Sequence, residues 1–420
     1  MSEPRAKNNT RRRAVITGLG VVASNGIGKE AFWKALKEGK SGIAKLTRFD
    51  ASTYPSQIAG EVNDFEPTDF MSFKSARRMD RFTQFAVAAA RMAVEDSQLM
   101  IEKVSKRTGI VMGSSLGGMP HAESQHSIFM EKGLNRIDSL LATKLFCGEA
   151  SSQASIELGI TGPSYTISTG CVTGADAIGY ALSLIRNDIS DVVVTGGAEA
   201  PLAPMTFGAF CRLGALSCHN SEPQKASRPF DKNRDGFVMS EGAAILVLEE
   251  LEHALNRNAH IYAEIKGFGA TSDAYHMTRA PEDGVGTIAA IKLALEDAGT
   301  RPEAIDYISA HGTSTPLNDK VETIAFKEIF GSRAYNIPIS SPKSMTGHII
   351  GGASAIGVLA SALTIETQFI HPTINYETPD PYCDLNYVPN EGITANVNTV
   401  LVNALGFGSR NAALIIKKYE

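Results

Sequence analysis

The stretch Thr166-Ile167-Ser168-Thr169-Gly170-Cys171-Val172-Thr173-Gly174-Ala175-Asp176 places a thiol where an alternating strand pattern turns into a helical one. The glycine before the cysteine marks a sharp turn, and small residues after it open a helix running through Ala181, Leu182, Leu184 and Ile185. A thiol at such a turn faces the positive end of a helix dipole, roughly half an elementary charge. Sites of that kind lower a cysteine pKa to between about 3.5 and 7.5, so the sequence predicts an activated nucleophile. Backbone N–H groups at the same turn can hold an oxyanion. The competing reading is a buried cysteine used as a small hydrophobe.

Two further strand ends carry chemistry. Ala310-His311-Gly312-Thr313-Ser314-Thr315-Pro316 sets a histidine before a turn, and Ser341-Pro342-Lys343-Ser344-Met345-Thr346-Gly347-His348 sets a lysine and a second histidine at another. Asn318-Asp319-Lys320-Val321-Glu322 supplies a carboxylate one turn into a helix, where it can pair with Lys343. A cysteine nucleophile accepts an acyl group from a thioester with little change in bond energy. Two imidazole N–H donors aimed at one carbonyl stabilise an enolate, such as forms when a malonyl carboxylate leaves as carbon dioxide. A cysteine protease would use one histidine with an Asn or Asp orienter, which leaves the second histidine and Lys343 without a task. Zinc on Cys171, His311 and His348 lacks a second ligating cysteine, so neither a metal nor a cofactor is expected.

These residues need a scaffold, and the chain carries one twice. Its 420 residues suit two or three ordinary domains or one large duplicated unit. After a first buried strand at 14–22, the strand patterns at 108–115, 166–169, 191–197 and 243–248 recur in order at 304–313, 337–341, 399–406 and 412–416. Ala177-Ile178-Gly179 in one helical pattern matches Ala355-Ile356-Gly357 in the other. The reading is α/β, with two similar sheets stacked around shared helices. Residues 1–12 are expected to form a flexible tail, 13–260 an N-terminal half holding Cys171, and 261–420 a C-terminal half holding His311, Lys343 and His348. Strand-end loops of both halves then meet, bringing Cys171, His311, the 343–348 turn and Gly406 together.

Composition sets the boundaries. A net charge of −5 gives no global field for nucleic acid. Five cysteines, at 147, 171, 211, 218 and 383, form no CxxC pair, which suggests a reducing, cytoplasmic setting. The charged start lacks the apolar core of a signal peptide, and no apolar run is expected to span a bilayer.

The order Gly170-Cys171, His311-Gly-Thr-Ser-Thr-Pro, Lys343-Ser-Met-Thr-Gly-His348 and Gly406-Phe407-Gly408 resembles the elongating β-ketoacyl-acyl carrier protein synthases of the thiolase superfamily. Ser227-Arg228-Pro229-Phe230-Asp231 and Asp273-Ala274-Tyr275-His276-Met277-Thr278 add to it, and the likeness extends from Ala14 to Lys418. It implies a duplicated thiolase-like fold in five layers, αβαβα. It implies Cys171 as nucleophile, His311 and His348 as the decarboxylation pair, and Lys343 orienting His311 and pairing with Glu322. The N–H groups of Cys171 and Phe407 would form the oxyanion hole, with Phe407 also gating the acyl channel. Lys74, Arg77 and Arg78 match the patch where the family docks its acidic carrier protein.

The partners so implied are acyl carrier protein, acyl and malonyl thioesters, and either a second copy in a homodimer or a chain-length factor in a heterodimer. The second arrangement belongs to ketosynthase subunits of type II polyketide systems, which Ser168-Thr169-Gly170 and the 199–206 stretch also resemble. Two positions depart from the family pattern. Gly357 stands where a glutamate is usual, and Arg410 replaces a small residue beside the gate, as a silent structural partner could also show.

Overall fold

Most of the apolar runs become strands buried on both faces. In the computed structural model, which describes residues 11–420, ten strands form one hydrogen-bonded path. They are β1 (Ala14–Ala23), β2 (Thr108–Gly113), β3 (Ser164–Ile167), β4 (Val192–Glu199), β5 (Gly242–Glu250), β6 (Ala263–Ser272), β7 (Tyr307–Ser309), β8 (Ile339–Ser340), β9 (Thr399–Gly406) and β10 (Arg410–Lys417). The order is β8-β7-β9-β10-β6-β1-β5-β4-β2-β3. Counted outward from the β6–β1 junction, each half runs first, fifth, fourth, second, third. In both, the second strand is parallel to its two neighbours and the other pairs are antiparallel.

Six helices complete the layers: α1 (Arg81–Ser97), α2 (Glu149–Leu158), α3 (Thr173–Arg186), α4 (Val285–Ala298), α5 (Pro316–Phe330) and α6 (Ala353–Thr367). Helix α1 covers β1, β4 and β5, and α2 packs on α1 and β2. Helix α4 covers β6 and β10, with α5 packed on α4. Helices α3 and α6 touch strands of both halves and form the middle layer, giving αβαβα. The strand period of two sorts side chains between the layers. Ala244, Leu246 and Leu248 of β5 enter the central core, while Ala243, Ile245 and Val247 enter the core under α1. In β10, Ala412, Leu414 and Ile416 face the centre and Ala413 and Ile415 face outward. Truncating one such leucine to alanine costs about 2–5 kcal/mol.

Several expectations need correction. The two sheets are joined: Ala14–Ile265, Val15–Glu264 and Ile16–Ala263 pair antiparallel across the halves, through the edges of β1 and β6 that their own sheets leave open. The basic end of the expected tail is anchored. Arg11 reaches Asp297 at 2.6 Å, Arg12 reaches Asp191 at 2.5 Å, and Arg13 reaches Glu264 at 2.5 Å. The rest of that tail, residues 1–10, lies outside the described residues. The stretch Ile350–Thr367 is long and apolar enough to cross a bilayer, but 89% of it is buried as the middle-layer helix and the turn before it. Finally, α3 and α6 begin at Thr173 and Ala353, so the two Ala-Ile-Gly strings fall two positions apart and are not equivalents. Gly179 packs under the Phe268 ring of β6, whereas Gly357 faces Ser309 and Val402.

Candidate active site

Cys171 sits in a single 3-10 turn, Gly170–Val172, between β3 and α3. Gly170 adopts φ 66°, a left-handed conformation that makes the turn sharp. Side chains then fasten it. Ser115 Oγ donates to the Gly170 carbonyl at 2.8 Å, and Thr173 Oγ1 accepts from Thr169 N–H at 2.8 Å. Behind them, buried Glu199 ends β4 and accepts from Ser115 N–H (2.9 Å), Leu116 N–H (3.1 Å), Ser114 Oγ (2.9 Å) and Gly351 N–H (3.1 Å).

His311 follows β7, and His348 follows the short helix Lys343–Thr346. Their ring centroids are 5.4 Å apart with planes near perpendicular at 87°. The Phe237 ring stands edge-on to His348 at 5.0 Å. The His348 backbone is pinned, with its N–H donating to Val238 at 2.7 Å and its carbonyl accepting from Ser240 at 3.0 Å. Neither imidazole has a protein partner among the described residues, and both Nδ1 atoms are sealed from solvent. Burial above all, then the Lys343 charge, holds both histidines well below their ordinary pKa. They are neutral at pH 7 and able to donate one N–H each.

The thiol departs from expectation. Burial pushes Cys171 up to about 11, against the pull of the Phe407 N–H, the Lys343 charge and its own N–H. The reason is its company: the sulfur lies in an apolar cluster with Phe207, Leu216, Phe237 and Ile350, and desolvation outweighs the helix terminus. The two N–H groups named for an oxyanion hole do point at this sulfur.

Lys343 and Glu322 stand behind the histidines. Lys343 Nζ donates to the His311 carbonyl at 2.7 Å, and burial lowers its pKa to about 8 against the pull of Glu322. Their predicted ion pair is absent: among the described residues no contact joins them within 4.0 Å. The carboxylate is already filled by His311 N–H (2.7 Å), Gly312 N–H (2.6 Å), Asn318 Nδ2 (2.9 Å) and Asn403 Nδ2 (2.8 Å). Burial raises Glu322 to about 7, so it acts as an anchor for the His311 loop.

One cavity brings Cys171, His311, His348 and Phe407 together, with Thr313 and Thr315 also on its wall. Phe210 and Phe237 form its apolar side, and Arg279 and Arg410 complete the lining. Lys74, Arg77 and Arg78 are exposed and away from it, with the Arg77 guanidinium 5.7 Å over the exposed Phe73 ring. Gly357 lies in α6 beside the buried, unpartnered Ser309 hydroxyl. Sequence reasoning missed Glu199, Asn403, Ser115 and Phe237. A charged residue closing an apolar strand, as Glu199 does, was the available signal.

Family models match most of the chain: the N-terminal domain of β-ketoacyl synthase over residues 11–254 and its C-terminal domain over 262–377. A 3-oxoacyl-[acyl-carrier-protein] synthase 2 from Coxiella burnetii is 47% identical over 409 residues, covering 97% of this chain and 99% of its own. The solved ishigamide ketosynthase/chain length factor is 39% identical with a TM-score of 0.92, covering 98% of this chain and all of its own. A type II polyketide ketosynthase, solved with its acyl-carrier protein and bound to the hexaketide, is 38% identical with a TM-score of 0.91 and the same coverage.

Proposed function

The chain belongs to the β-ketoacyl synthase family, and from that membership we propose a decarboxylative condensing enzyme that extends a carrier-bound acyl group by two carbons. The observation that carries the reading is the convergence of one thiol and two neutral imidazoles on one cavity. It is an acyltransferase. In the first half-reaction Cys171 sulfur bonds to the acyl carbon, the thioester C–S bond breaks, and the carrier thiol leaves with the proton. The Cys171 and Phe407 N–H groups take the developing oxyanion.

In the second, the malonyl C–C bond breaks and carbon dioxide leaves. The electron pair moves toward the thioester oxygen, where the His311 and His348 N–H groups receive it. The resulting carbanion attacks the acyl carbonyl and expels the Cys171 sulfur. Lys343 holds His311 in place through its carbonyl.

The carrier protein is acidic in this reading and docks on Lys74, Arg77 and Arg78, whose side chains form no ion pair among the described residues. Reversing the three charges weakens carrier binding, most at low salt, and an unchanged dissociation constant refutes the patch. A dimer partner has a place to add: β3 ends the sheet on the N-terminal side, and its Tyr165 stands exposed against exposed Tyr180 of α3. The free cysteines suit a cytoplasmic setting.

The deciding experiment is mass spectrometry of the protein with acyl- and malonyl-carrier protein, alone and with candidate chain-length partners. An adduct on Cys171 and a product two carbons longer from this chain alone supports self-sufficient elongation of the fatty acid kind. Elongation only with a partner supports the polyketide arrangement that the ishigamide ketosynthase/chain length factor exemplifies. No adduct in any mixture refutes the enzyme.

A further inference from the structure

Arg410 opens β10 at the rim of the cavity, directly after the Gly406-Phe407-Gly408 segment. That segment is bound firmly on one side. Gly408 N–H donates to Met277 at 2.6 Å, Ser409 Oγ donates to His276 at 2.8 Å, and Asp273 N–H donates to the Ser409 carbonyl at 2.8 Å. The 273–278 loop itself is largely exposed, with Tyr275 and Met277 standing out in solvent. The two loops are therefore one unit, a flap of the C-terminal half.

Toward the N-terminal half the ties are few. Gly170 and the Phe407 carbonyl approach so closely that a side chain at 170 would meet that oxygen at 3.2 Å. Apart from the Phe407 N–H that points at the Cys171 sulfur, one side-chain hydrogen bond crosses this seam among the described residues. Arg410 Nη1 donates at 3.1 Å to the carbonyl of Ser168, three residues before the nucleophile. A second group acts on the same guanidinium through its charge. Asp176, in the first turn of α3, is half-buried; burial raises its pKa against the pull of Thr169 and then of the Arg410 charge, and its Oδ1 has no partner among the described residues. An open carboxylate oxygen without a cation of its own draws the arginine's charge toward the turn.

We infer that Arg410 is a positioning residue that clamps the Phe407 flap onto the Cys171 turn, with Asp176 holding its charge in place. The inference rests on the nucleophile reading above and deepens it. The clamp sets how readily the flap yields to a bulky acyl group, and leaves the reactivity of the thiol toward small reagents alone. Arg410 thereby selects against slow-fitting, long acyl chains at the loading step.

The test compares two thiol reagents on the full-length protein: iodoacetamide, which is small, and a long-chain acyl-mimicking epoxide, with modification of Cys171 read by mass spectrometry. Arg410→Ala is expected to speed epoxide labelling about tenfold, the scale of one charge-assisted hydrogen bond, and iodoacetamide labelling by less than about twofold. Asp176→Asn should move the ratio the same way by less, and Arg410→Lys should restore most of the wild-type ratio. Equal acceleration of both reagents, or no acceleration of the epoxide, overturns the clamp. Failure of iodoacetamide to modify Cys171 in the wild type overturns the nucleophile reading instead. If Arg410→Ala loses its folding transition, the lysine and asparagine variants carry the same comparison.

Discussion

The two halves solve one problem with the same device placed differently. In each, a buried glutamate gathers backbone N–H groups of the loop after the second strand: Glu199 takes those of Ser115 and Leu116, and Glu322 takes those of His311 and Gly312. Glu199 is the last residue of β4, paired with Gly242. The matching last residue of β9 is Gly406, paired with Arg410. A side chain at 406 would meet the Cys171 N–H at 3.2 Å, so no glutamate fits there. The C-terminal half supplies its carboxylate from α5 instead and leaves the strand end open for the flap. Its connection from β8 to α6 is also longer and carries Lys343 and His348, where the N-terminal half has one tight turn with Cys171. In the proposed reaction the N-terminal half presents the nucleophile and the C-terminal half the proton-bearing donors.

Separate substitutions should split the reaction along that line. Cys171→Ala is expected to abolish acyl transfer, a loss on the order of 10⁴-fold or more. It should leave release of carbon dioxide from malonyl-carrier protein in place. His311→Ala should do the reverse, slowing decarboxylation by about 10²–10³-fold while the acyl adduct on Cys171 still forms. Adduct mass and carbon dioxide release, measured on the same samples, check both. Loss of both steps in either variant would break the division of labour.

The halves should also differ in their response to pH. The thiol of Cys171 has its pKa raised to about 11, so its thiolate fraction and iodoacetamide rate climb with pH, about a hundredfold from 7 to 9. The histidines are held below 6.5, so the neutral imidazoles persist as pH falls through that value, and decarboxylation keeps its rate where an ordinary histidine would be half protonated. Stability follows the same sign. The unfolded chain takes up protons at about pH 6.5 that the buried imidazoles refuse, so acidification below that point destabilises the fold. A decarboxylation limb centred at 6.5 would place the histidines in solvent.

The glutamates sharpen the comparison at smaller scale. Glu199→Gln and Glu322→Gln each bring an NH₂ group against N–H donors, at a cost of about 1–3 kcal/mol. Roughly tenfold losses should appear on separate steps, acylation for Glu199→Gln and decarboxylation for Glu322→Gln. Equal losses on both steps would mean the two anchors support one undivided site.

How much of this was legible depended on the range of the interaction. Cys171, His311, Lys343 and His348 stand beside glycines at strand ends, and period-two apolar runs announced the strands and their repetition. Asn403 was not legible, because its partner lies far along the chain, and Glu199 is marked locally only as a charge closing an apolar run, which does not show that its carboxylate serves distant N–H groups. The thiol's direction of shift was misread for the same reason. The helix terminus is local and visible in sequence, whereas Phe207, Phe237 and Ile350 surround the sulfur only after folding. Lys343 and Glu322 have complementary charge, yet Glu322 is saturated by closer donors.

The smallest effect tests the middle layer, where the sequence suggested an equivalence that the structure denies. Gly179 and Gly357 sit in matching Ala-Ile-Gly strings, but a Cβ at 179 would lie 2.5 Å from the Phe268 ring, while one at 357 would lie 3.3 Å from the Ser309 hydroxyl and 3.4 Å from Val402. Gly179→Ala must push an aromatic ring out of a packed seam, which costs about 1–3 kcal/mol. Gly357→Ala gains up to about 1 kcal/mol of helix propensity and gives part of it back to a contact a few tenths of an ångström tight. Its net change stays under about 1 kcal/mol in urea unfolding, because a serine hydroxyl can rotate away, whereas the half-buried Phe268 ring is packed against the core. Equal costs at the two positions would mean that α3 and α6 meet their sheets alike and that the two-residue offset between them is wrong.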